Sequence, residues 1–371
     1  MNKALKTQQV SEGITDFLVF KNKVTVKGPG AKEKVPFYNP AMELNRDLSI
    51  LVCQWLVNNS SKRVHILDGL ASSGARGTRL KKEVKGDFDI TVNDWDEEAY
   101  KLILENIEHL KLTDVSVLNK NLNSLLSEKK FDYIDVDPFG SPAYFIDSAM
   151  RSILDKGILA CTATDTATLC GVYPKVCNRR YGANPFHSFF MKEVGLRILV
   201  GFICKEAVKY DKGIKPLLCH STDHYFRVYI MIRNGVDSAN DSIKNLSMIS
   251  SDKFVFSKNK GVDVGPLWTG KLQDKKMIRE LRSILFEKKL NTKNILWKLL
   301  DLLEEEADAP GFFYTTDEVA SFLKLSPPRL NMVFKQLEKN GFKVYRTHFS
   351  NTGFKTNAPI KEIEKIFKKN S

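Results

Sequence analysis

The chain has 371 residues, 43% of them hydrophobic, which is enough for about two domains with sizeable cores. Lys and Arg outnumber Asp and Glu by 57 to 44, and the resulting net charge of +13 favours a polyanionic partner. No apolar run has the length of a membrane span, and the first residues lack the apolar core of a secretory signal. The six cysteines form no C-x-x-C pair, which disfavours a zinc ribbon and favours a reducing, cytoplasmic location.

Strands and helices are predicted to alternate through the first 232 residues. The predicted strands are Phe17–Phe20, Lys23–Val26, Val64–Leu67, Phe88–Val92, Ser116–Asn119, Phe131–Val136, Gly157–Thr162, and two near 216–220 and 224–232. The predicted helices cover 41–59, 96–111, 142–154 and 186–209. This order predicts an α/β fold with an open, mostly parallel sheet, helices on both faces and an antiparallel edge formed by the last two strands.

The composition becomes polar after Asn234, so we predict a domain of residues 1–235 and a smaller α/β domain of residues 236–371. Helices are expected over 271–289 and 292–305. From Thr315 the pattern indicates helix, turn, helix and strand, at Asp317–Leu323, Pro327–Asn340 and Phe342–Phe349. That order resembles a winged helix, a common nucleic-acid-binding unit, although many small α/β subdomains share it.

The most informative motif is DVDPFGSP, Asp135–Pro142, directly after a predicted strand. An acid there can accept a hydrogen bond from an amino group, Pro138 stiffens the turn, and Phe139 offers a face on which a flat base can stack. Only one of Asp135 and Asp137 is expected to face a pocket, and Asp137 is the candidate because it adjoins the turn. The motif indicates methyl transfer to a nucleobase nitrogen; the alternative for Phe139 is a core position.

A methyl donor is expected near the glycine-containing loop Asp68–Gly77. Its spacing is not G-x-G-x-x-G, which favours S-adenosylmethionine over a dinucleotide, with an ordinary strand-to-helix turn as the alternative. Asp94 ends the next strand, where it can accept hydrogen bonds from ribose hydroxyls or cap the helix over 96–111. Asn121 follows a further strand, where it can bind an adenine amine or form a turn.

Two arginines are candidates for binding the carboxylate of an amino-acid moiety. Arg46 lies on the first predicted helix, and Arg76 lies at the end of the glycine-containing loop. A guanidinium can bind a carboxylate through two parallel hydrogen bonds. A surface ion pair is the alternative for each.

Seven segments, in order, resemble the tRNA (guanine-26) N2-dimethyltransferases. They are Phe37–Pro40 with Leu44–Asp47, Asp68–Arg79, Asp135–Pro142, Thr162–Asp165 with Leu169–Gly171, Asp223–Arg227, Gly265–Gly270 and Thr347–Gly353. The match runs from near residue 36 to near residue 359, so it covers nearly the whole chain.

The resemblance implies a class I, Rossmann-like S-adenosylmethionine-dependent methyltransferase domain and a C-terminal domain that helps hold tRNA. It implies one or two methylations of the exocyclic N2 of guanine 26, with no membrane and no obligate protein partner. By motif match, the cofactor contacts would be Arg46, Arg76, Asp94, Asn121 and Leu122. The guanine would lie between Phe37 and Phe139 and face Asp137, with the Pro138 carbonyl assisting.

Two departures from the family pattern stand out. Members usually carry Asp where Asn121 stands, so we expect tolerated or slightly weaker cofactor binding here. Many members also carry a zinc-binding cysteine cluster before the Gly-Pro-Leu-Trp motif, but residues 234–264 contain no cysteine. We therefore predict no zinc there, with packing of Phe254, Val255 and Phe256 in its place.

The residues leave three rival functions open. A methyltransferase could act on adenine N6, or on another guanine in rRNA or DNA. A winged-helix regulator or RNA-binding module could use the sheet domain only to sense a nucleotide, although the Asp137-Pro138-Phe139 site disfavours this. A nicotinamide oxidoreductase is disfavoured by the missing phosphate fingerprint.

Overall fold

The computed structural model describes residues 6–21, 36–257 and 260–369. Its strands are β1 Thr7–Glu12, β2 Thr15–Phe20, β3 Val64–Asp68, β4 Phe88–Asn93, β5 Val115–Leu118, β6 Phe131–Val136, β7 Ile153–Ala163, β8 Lys212–Thr222, β9 Tyr225–Asn234, β10 Leu246–Ser250, β11 Asp263–Trp268, β12 Tyr314–Thr315, β13 Val344–Arg346 and β14 Gly353–Thr356. Its α-helices are α1 Glu43–Asn58, α2 Ala75–Glu83, α3 Glu97–His109, α4 Leu122–Glu128, α5 Ala143–Ser152, α6 Thr166–Leu169, α7 Pro174–Tyr181, α8 Met191–Val208, α9 Val236–Ile243, α10 Lys275–Glu287, α11 Lys293–Glu306, α12 Thr316–Leu323, α13 Leu330–Lys339 and α14 Ile360–Lys369.

A seven-stranded sheet in the order β5-β4-β3-β6-β7-β9-β8 forms the centre of the molecule. Strands β5 to β7 pair in parallel, while β9 pairs antiparallel with both β7 and β8. The predicted α/β fold, the mostly parallel sheet and the antiparallel edge are therefore confirmed. Among the described residues, no helix is both long enough and apolar enough to cross a bilayer.

The two faces of the sheet bury two different cores, because successive side chains of a strand point to opposite sides. Ile66 packs towards α1, α10 and α11, whereas Leu67 packs towards α4, α5 and α8. Ile158 and Leu159 divide in the same way on β7. Strands buried on both faces are rich in apolar residues, and the apolar-rich run Phe131–Val136 predicts a strand with the observed bounds.

The helices and strands that differ from prediction are mostly short or polar. Helices α2, α4, α6 and α7 were not predicted, and the first shortens the expected loop by beginning at Ala75. The helix expected from residue 186 begins at Met191, because residues 186–190 place Phe186 and Phe190 in a core instead. The strand expected over Phe342–Phe349 covers only Val344–Arg346. The turn at residues 28–30 and the strand Lys23–Val26 lie outside the described residues, and β1 was not predicted.

The last third of the chain packs against the sheet and also forms a core of its own. Helices α10 and α11 pack on α1, while α12, α13 and α14 surround the three-stranded sheet β12-β14-β13. This arrangement agrees with the helix, helix, strand order that resembles a winged helix. The predicted boundary after residue 235 falls between β9 and α9, and the division into two domains stays a prediction.

Side chains and backbone from the last third of the chain cover the open edge of β8. The backbone carbonyl of Leu217 accepts a hydrogen bond from the Asp274 N–H at 2.8 Å. The Gln273 side chain binds both backbone groups of Cys219, accepting at 3.2 Å and donating at 2.6 Å. The Ser221 N–H donates to His348 Nε2 at 3.1 Å. These bonds satisfy backbone groups that an edge strand would otherwise leave unpaired.

We expect Gln273→Ala to lower the free energy of unfolding by about 2 kcal/mol, because it leaves a buried N–H and a buried C=O of Cys219 without partners. Urea unfolding measures the change. Gln9→Ala, which removes an exposed glutamine from β1, is the matched control and should stay within about 0.5 kcal/mol of the parent. Equal effects of the two substitutions would contradict the role of Gln273 as an edge cap.

Candidate active site

A cavity of about 1150 Å³ opens at the carboxyl ends of β3, β4 and β6. Ligands of open parallel sheets bind at this edge, beyond the carboxyl ends of the strands. The sequence-predicted site residues that line the cavity are Phe37, Arg46, Arg76, Asp94, Asp137, Pro138 and Phe139. The structure thus brings seven of the nine candidates to one place, although they come from four separate parts of the sequence.

Hydrogen bonds to β6 and β4, together with one glycine, fix the loop after β3 along the cavity wall. The Gly69 N–H donates to the Asp135 carbonyl at 3.1 Å, and the Ala71 N–H donates to the Asn93 carbonyl at 2.9 Å. Gly74 precedes α2 with φ of 76°, and a Cβ there would lie 2.9 Å from a side-chain carbon of Ile103. The loop backbone therefore lies open along the cavity wall instead of filling it.

Asp94 fixes the loops on either side of it. Its carboxylate accepts hydrogen bonds from the Ser72 N–H at 2.7 Å and the Asp96 N–H at 3.0 Å. Burial raises the pKa of Asp94, against these backbone hydrogen bonds. Helix α3 is capped by Asp96, whose side chain accepts from the Glu98 and Ala99 N–H groups, so capping is not the role of Asp94.

The DPFG turn after β6 is pinned to the end of β7. The Gly140 N–H donates to Thr164 Oγ1 at 2.7 Å, and the Thr164 N–H donates to the Gly140 carbonyl at 2.9 Å. Asp137, at the start of this turn, faces the cavity. These two hydrogen bonds fix the backbone of the turn, and with it the positions at which Asp137, Pro138 and Phe139 start beside the cavity.

Asp135 lies in a buried charge cluster and does not line the cavity. Arg227 binds both of its carboxylate oxygens, at 3.0 and 2.6 Å, and the Tyr133 hydroxyl donates to it at 2.8 Å. Despite burial, which acts in the opposite direction, Arg227 and Arg76 lower the pKa of Asp135. Asp135 and Asp137 are two residues apart and share one side of the chain, where Arg76 contacts both, but only Asp137 reaches the cavity.

Arg76 links the buried cluster to the cavity. It donates to Asn45 Oδ1 at 2.9 Å and to Ser49 Oγ at 2.6 Å, and it forms an ion pair with Asp137. Although burial opposes it, the neighbouring carboxylates of Asp135 and Asp137 raise the pKa of Arg76. The side chain is a fixed cation at the cavity floor, which differs from the surface ion pair considered as its alternative.

Arg46 also belongs to a buried ion pair. Its Nε donates to Glu12 at 2.8 Å, its Nη2 donates to the Asn39 carbonyl at 3.0 Å, and its guanidinium lies 5.0 Å from the Tyr38 ring centroid. Arg79 donates to the same glutamate at 2.8 Å. Strand β1, which carries Glu12, thereby sets the position of Arg46 in the cavity wall.

Phe37 and Phe139 lie beside each other at the cavity mouth, with ring centroids 5.8 Å apart and ring planes 53° apart. Phe37 is fixed through its backbone, which exchanges two hydrogen bonds with the Ser72 hydroxyl at 2.9 and 2.8 Å. Phe139 is 53% exposed. A base stacked on both rings needs roughly 7 Å between them, since each stacked contact takes about 3.5 Å. The rings must therefore separate slightly, and Phe139 is the freer of the two.

The cavity wall formed by the described residues does not include Asn121 or Leu122. The Asn121 side chain accepts from the N–H groups of Asn123 at 3.0 Å and Ser124 at 3.4 Å, so it caps α4. Leu122 is buried beneath Gly69, where a Cβ on the glycine would meet its side chain at 2.9 Å. Leu122 therefore supports the cavity wall from behind, and contact of either residue with a cofactor stays a prediction.

Sequence reasoning assigned no role to Arg227 or to the carboxylate of Asp68. Arg227 lies within the quoted segment Asp223–Arg227, but its partners come from residues far away in the chain. Asp68 Oδ2 is buried and, among the described residues, accepts no hydrogen bond. Burial raises the pKa of Asp68 to about 7, with Arg76 acting in the opposite direction.

Within residues 6–21, 36–257 and 260–369, no cluster of three or more His, Cys, Asp or Glu side chains has the arrangement of a metal site. Phe254 instead contacts Phe190 and Phe312, with centroid distances of 4.5 and 4.9 Å. Phe256 packs edge-on against Tyr314 at 5.6 Å. These aromatic contacts join the segment before β11 to two cores.

The chain is similar in sequence to proteins of known family over almost its whole length. The family model for N2,N2-dimethylguanosine tRNA methyltransferase matches residues 13–368. A tRNA (guanine(26)-N(2))-dimethyltransferase of Methanobrevibacter smithii is 38% identical, over 98% of this chain and 97% of the relative. The enzyme of the same name from Pyrococcus furiosus is 37% identical, over 98% of each chain.

The fold is shared with a solved structure described as Trm1 from Pyrococcus horikoshii in complex with S-adenosyl-L-methionine. The two chains are 32% identical and superpose with a TM-score of 0.86, covering 97% of this chain and 99% of the other. Family model, relatives and fold agree along the chain. This protein belongs to the N2,N2-dimethylguanosine tRNA methyltransferase family.

Proposed function

We propose that this protein transfers one or two methyl groups from S-adenosylmethionine to the exocyclic N2 of guanine 26 in tRNA. The observation that carries the proposal is that Asp137 and Phe139 line the same cavity as the loops after β3 and β4. A nucleobase amine and a methyl donor have to share one enclosed space for direct transfer, and this cavity is large enough for both.

The side chains of the cavity fit S-adenosylmethionine. The unpartnered Asp68 carboxylate oxygen suits a cationic group, Asp94 suits the ribose hydroxyls, and Arg46 and Arg76 suit a carboxylate. Asn121 and Leu122 would act from behind the wall, through the loops that they support. When bound, S-adenosylmethionine supplies an electrophilic methyl group on a sulfonium sulfur.

Asp137 would orient the guanine amine and receive its proton. The N2 lone pair is delocalised into the ring, so hydrogen bonds from the amine to Asp137 and to the Pro138 carbonyl concentrate density on the nitrogen. The ion pair with Arg76 holds the Asp137 carboxylate beside the cavity. A carboxylate can receive the proton, because the amine becomes strongly acidic as its nitrogen is alkylated.

The target base has to leave its stack in tRNA, which costs a few kcal/mol. Stacking on Phe37 and Phe139 would offset this by about 1–3 kcal/mol. A second transfer requires space for a methylated amine beside Asp137. Exposure of Phe139 supports such an adjustment, since its ring is free to shift at the cavity mouth.

We further propose that residues 236–371 help hold the tRNA and that the reaction takes place in the cytoplasm. The net charge of +13 suits an RNA substrate. All six cysteines are buried free thiols, as expected for a reducing compartment. In this proposal Phe254 and Phe256 stabilise, by aromatic packing and without zinc, the segment before β11.

The function is tested with labelled S-adenosylmethionine and an unmodified tRNA transcript, followed by nucleoside identification. We expect N2-methylguanosine or N2,N2-dimethylguanosine, and we expect the label to disappear when guanine 26 is replaced. Label in adenosine or at another guanine would refute guanine 26 as the target, and tRNA binding without label would indicate a binding module.

Asp137→Ala should reduce kcat by about 10²–10⁴-fold, because it removes the acceptor for the amine protons. Single-turnover assays at saturating tRNA and S-adenosylmethionine measure this loss, and filter binding checks that tRNA affinity is retained. Asp241→Asn, an exposed acid on α9, is the control and should leave the rate unchanged. A near-parental rate for Asp137→Ala would exclude its catalytic role.

S-adenosylmethionine binding should release up to about half a proton at pH 7. The pKa of Asp68 is raised to about 7 in the free protein, so the group is half protonated there, and a bound cation favours the ionised form. Binding should therefore tighten as the pH rises from 6 to 8. Calorimetry in buffers of different ionisation enthalpy measures the proton number.

Asp68→Asn is the matched variant for this measurement, since it keeps the shape of the side chain and cannot titrate. It should bind with no proton release from this site and with weaker pH dependence. Proton uptake by the parent protein, or an unchanged proton number in Asp68→Asn, would contradict the assignment of Asp68 to the cationic part of the ligand.

A further inference from the structure

Helix α7 lies directly behind the DPFG turn and is joined to it by hydrogen bonds. The Ser141 hydroxyl donates to the Tyr181 hydroxyl at 2.8 Å, which in turn donates to Asp165 at 2.7 Å. Arg180 donates to the other oxygen of Asp165 at 3.1 Å. The inner side of α7 therefore sets the position of the turn that carries Asp137. Because Ser141 lines the cavity, these bonds also place α7 close to it.

The outer side of α7 carries positive charge that no acidic residue of the helix neutralises. Its sequence, PKVCNRRY, contains no acid, and Lys175 and Arg179 are both exposed. Spaced four residues apart, they lie on one face of the helix, where like charges repel by a few tenths of a kcal/mol. Within the part of the chain that the structure describes, neither forms an ion pair.

Exposed aromatic and apolar side chains lie next to α7. Tyr144 is 65% exposed and lines the cavity, and Arg180 lies within hydrogen-bond reach of its hydroxyl. Tyr173 and Val172, just before α7, are also exposed by more than half. Exposed rings among cations are the combination that binds unstacked nucleic-acid strands, through phosphates and base faces together.

We propose that the α7 surface, formed by Lys175, Arg179, Tyr173 and Tyr144, holds the RNA strand that flanks the target nucleotide. This proposal rests on the proposed function, since it takes tRNA as the substrate. A flipped base pulls its neighbouring phosphates towards the cavity mouth, and Tyr144 at that mouth lies beside α7, the helix that carries Lys175 and Arg179. Tyr144 at the rim offers a stacking face to a base beside the one removed from the stack.

The test is a double variant, Lys175→Gln with Arg179→Gln, compared with Lys82→Gln with Lys85→Gln. The control pair has the same charge change and is exposed, but it lies at the far end of α2, away from the cavity. We expect the α7 variant to bind tRNA about tenfold more weakly at ~0.1 M salt, with a smaller slope of log affinity against log salt by about 1–2.

The rate at saturating tRNA and the affinity for S-adenosylmethionine should stay at parental values in both variants, which separates docking from chemistry. Tyr144→Leu should also weaken tRNA binding, while Tyr144→Phe should not. Equal weakening by the two charge pairs would show a general effect of net charge and would overturn the proposal, as would parental binding by the α7 variant. If the unaltered protein labels no tRNA, the proposed function fails instead.

Discussion

The active site depends on a buried charge cluster in which Arg227 and Arg76 share the Asp135 carboxylate. Arg227 binds both oxygens of Asp135, while an Arg76 nitrogen lies 3.6 Å from it and reaches Asp137 with its other end. Buried charges are tolerated only when they are paired and hydrogen-bonded, and Ser49 and Thr162 accept further hydrogen bonds from Arg227. The cluster joins β6, β7, β9, α1 and α2, so correct packing of these five elements fixes the cation beside Asp137.

The same cluster explains why the sheet and its antiparallel edge matter for chemistry. Arg227 lies on β9 and its partner Asp135 lies on β6. Strand β7 lies between these two strands and pairs with both, so the continuous sheet sets the distance between the two side chains. The open edge at β8 is covered by Gln273 and His348, which come from the last third of the chain. A region proposed to hold tRNA thus also stabilises the sheet on which the DPFG turn is built.

The sequence predicted elements whose signal is local and missed those that depend on distant partners. Phe131–Val136 is buried throughout and rich in apolar residues, so its bounds were predicted correctly. Helix α2 was missed because its sequence is rich in cations, and it is stabilised by ion pairs such as Arg79 with Glu83 and Glu12. The position of Asp137 could be predicted because it adjoins the turn after a strongly predicted strand, whereas the role of Arg227 required knowing that residues 135 and 227 meet.

The most direct measurement is the single-turnover rate of methyl transfer for Arg227→Lys, Arg76→Lys and the double variant, at saturating substrates and with folding checked by thermal unfolding. Lysine keeps the buried charge but loses the two-point hydrogen bonding. If Arg227 acts on Asp137 only through Arg76 and Asp135, the double variant should be little slower than Arg76→Lys alone. Rate losses that multiply would show that the two arginines act independently and would contradict the account.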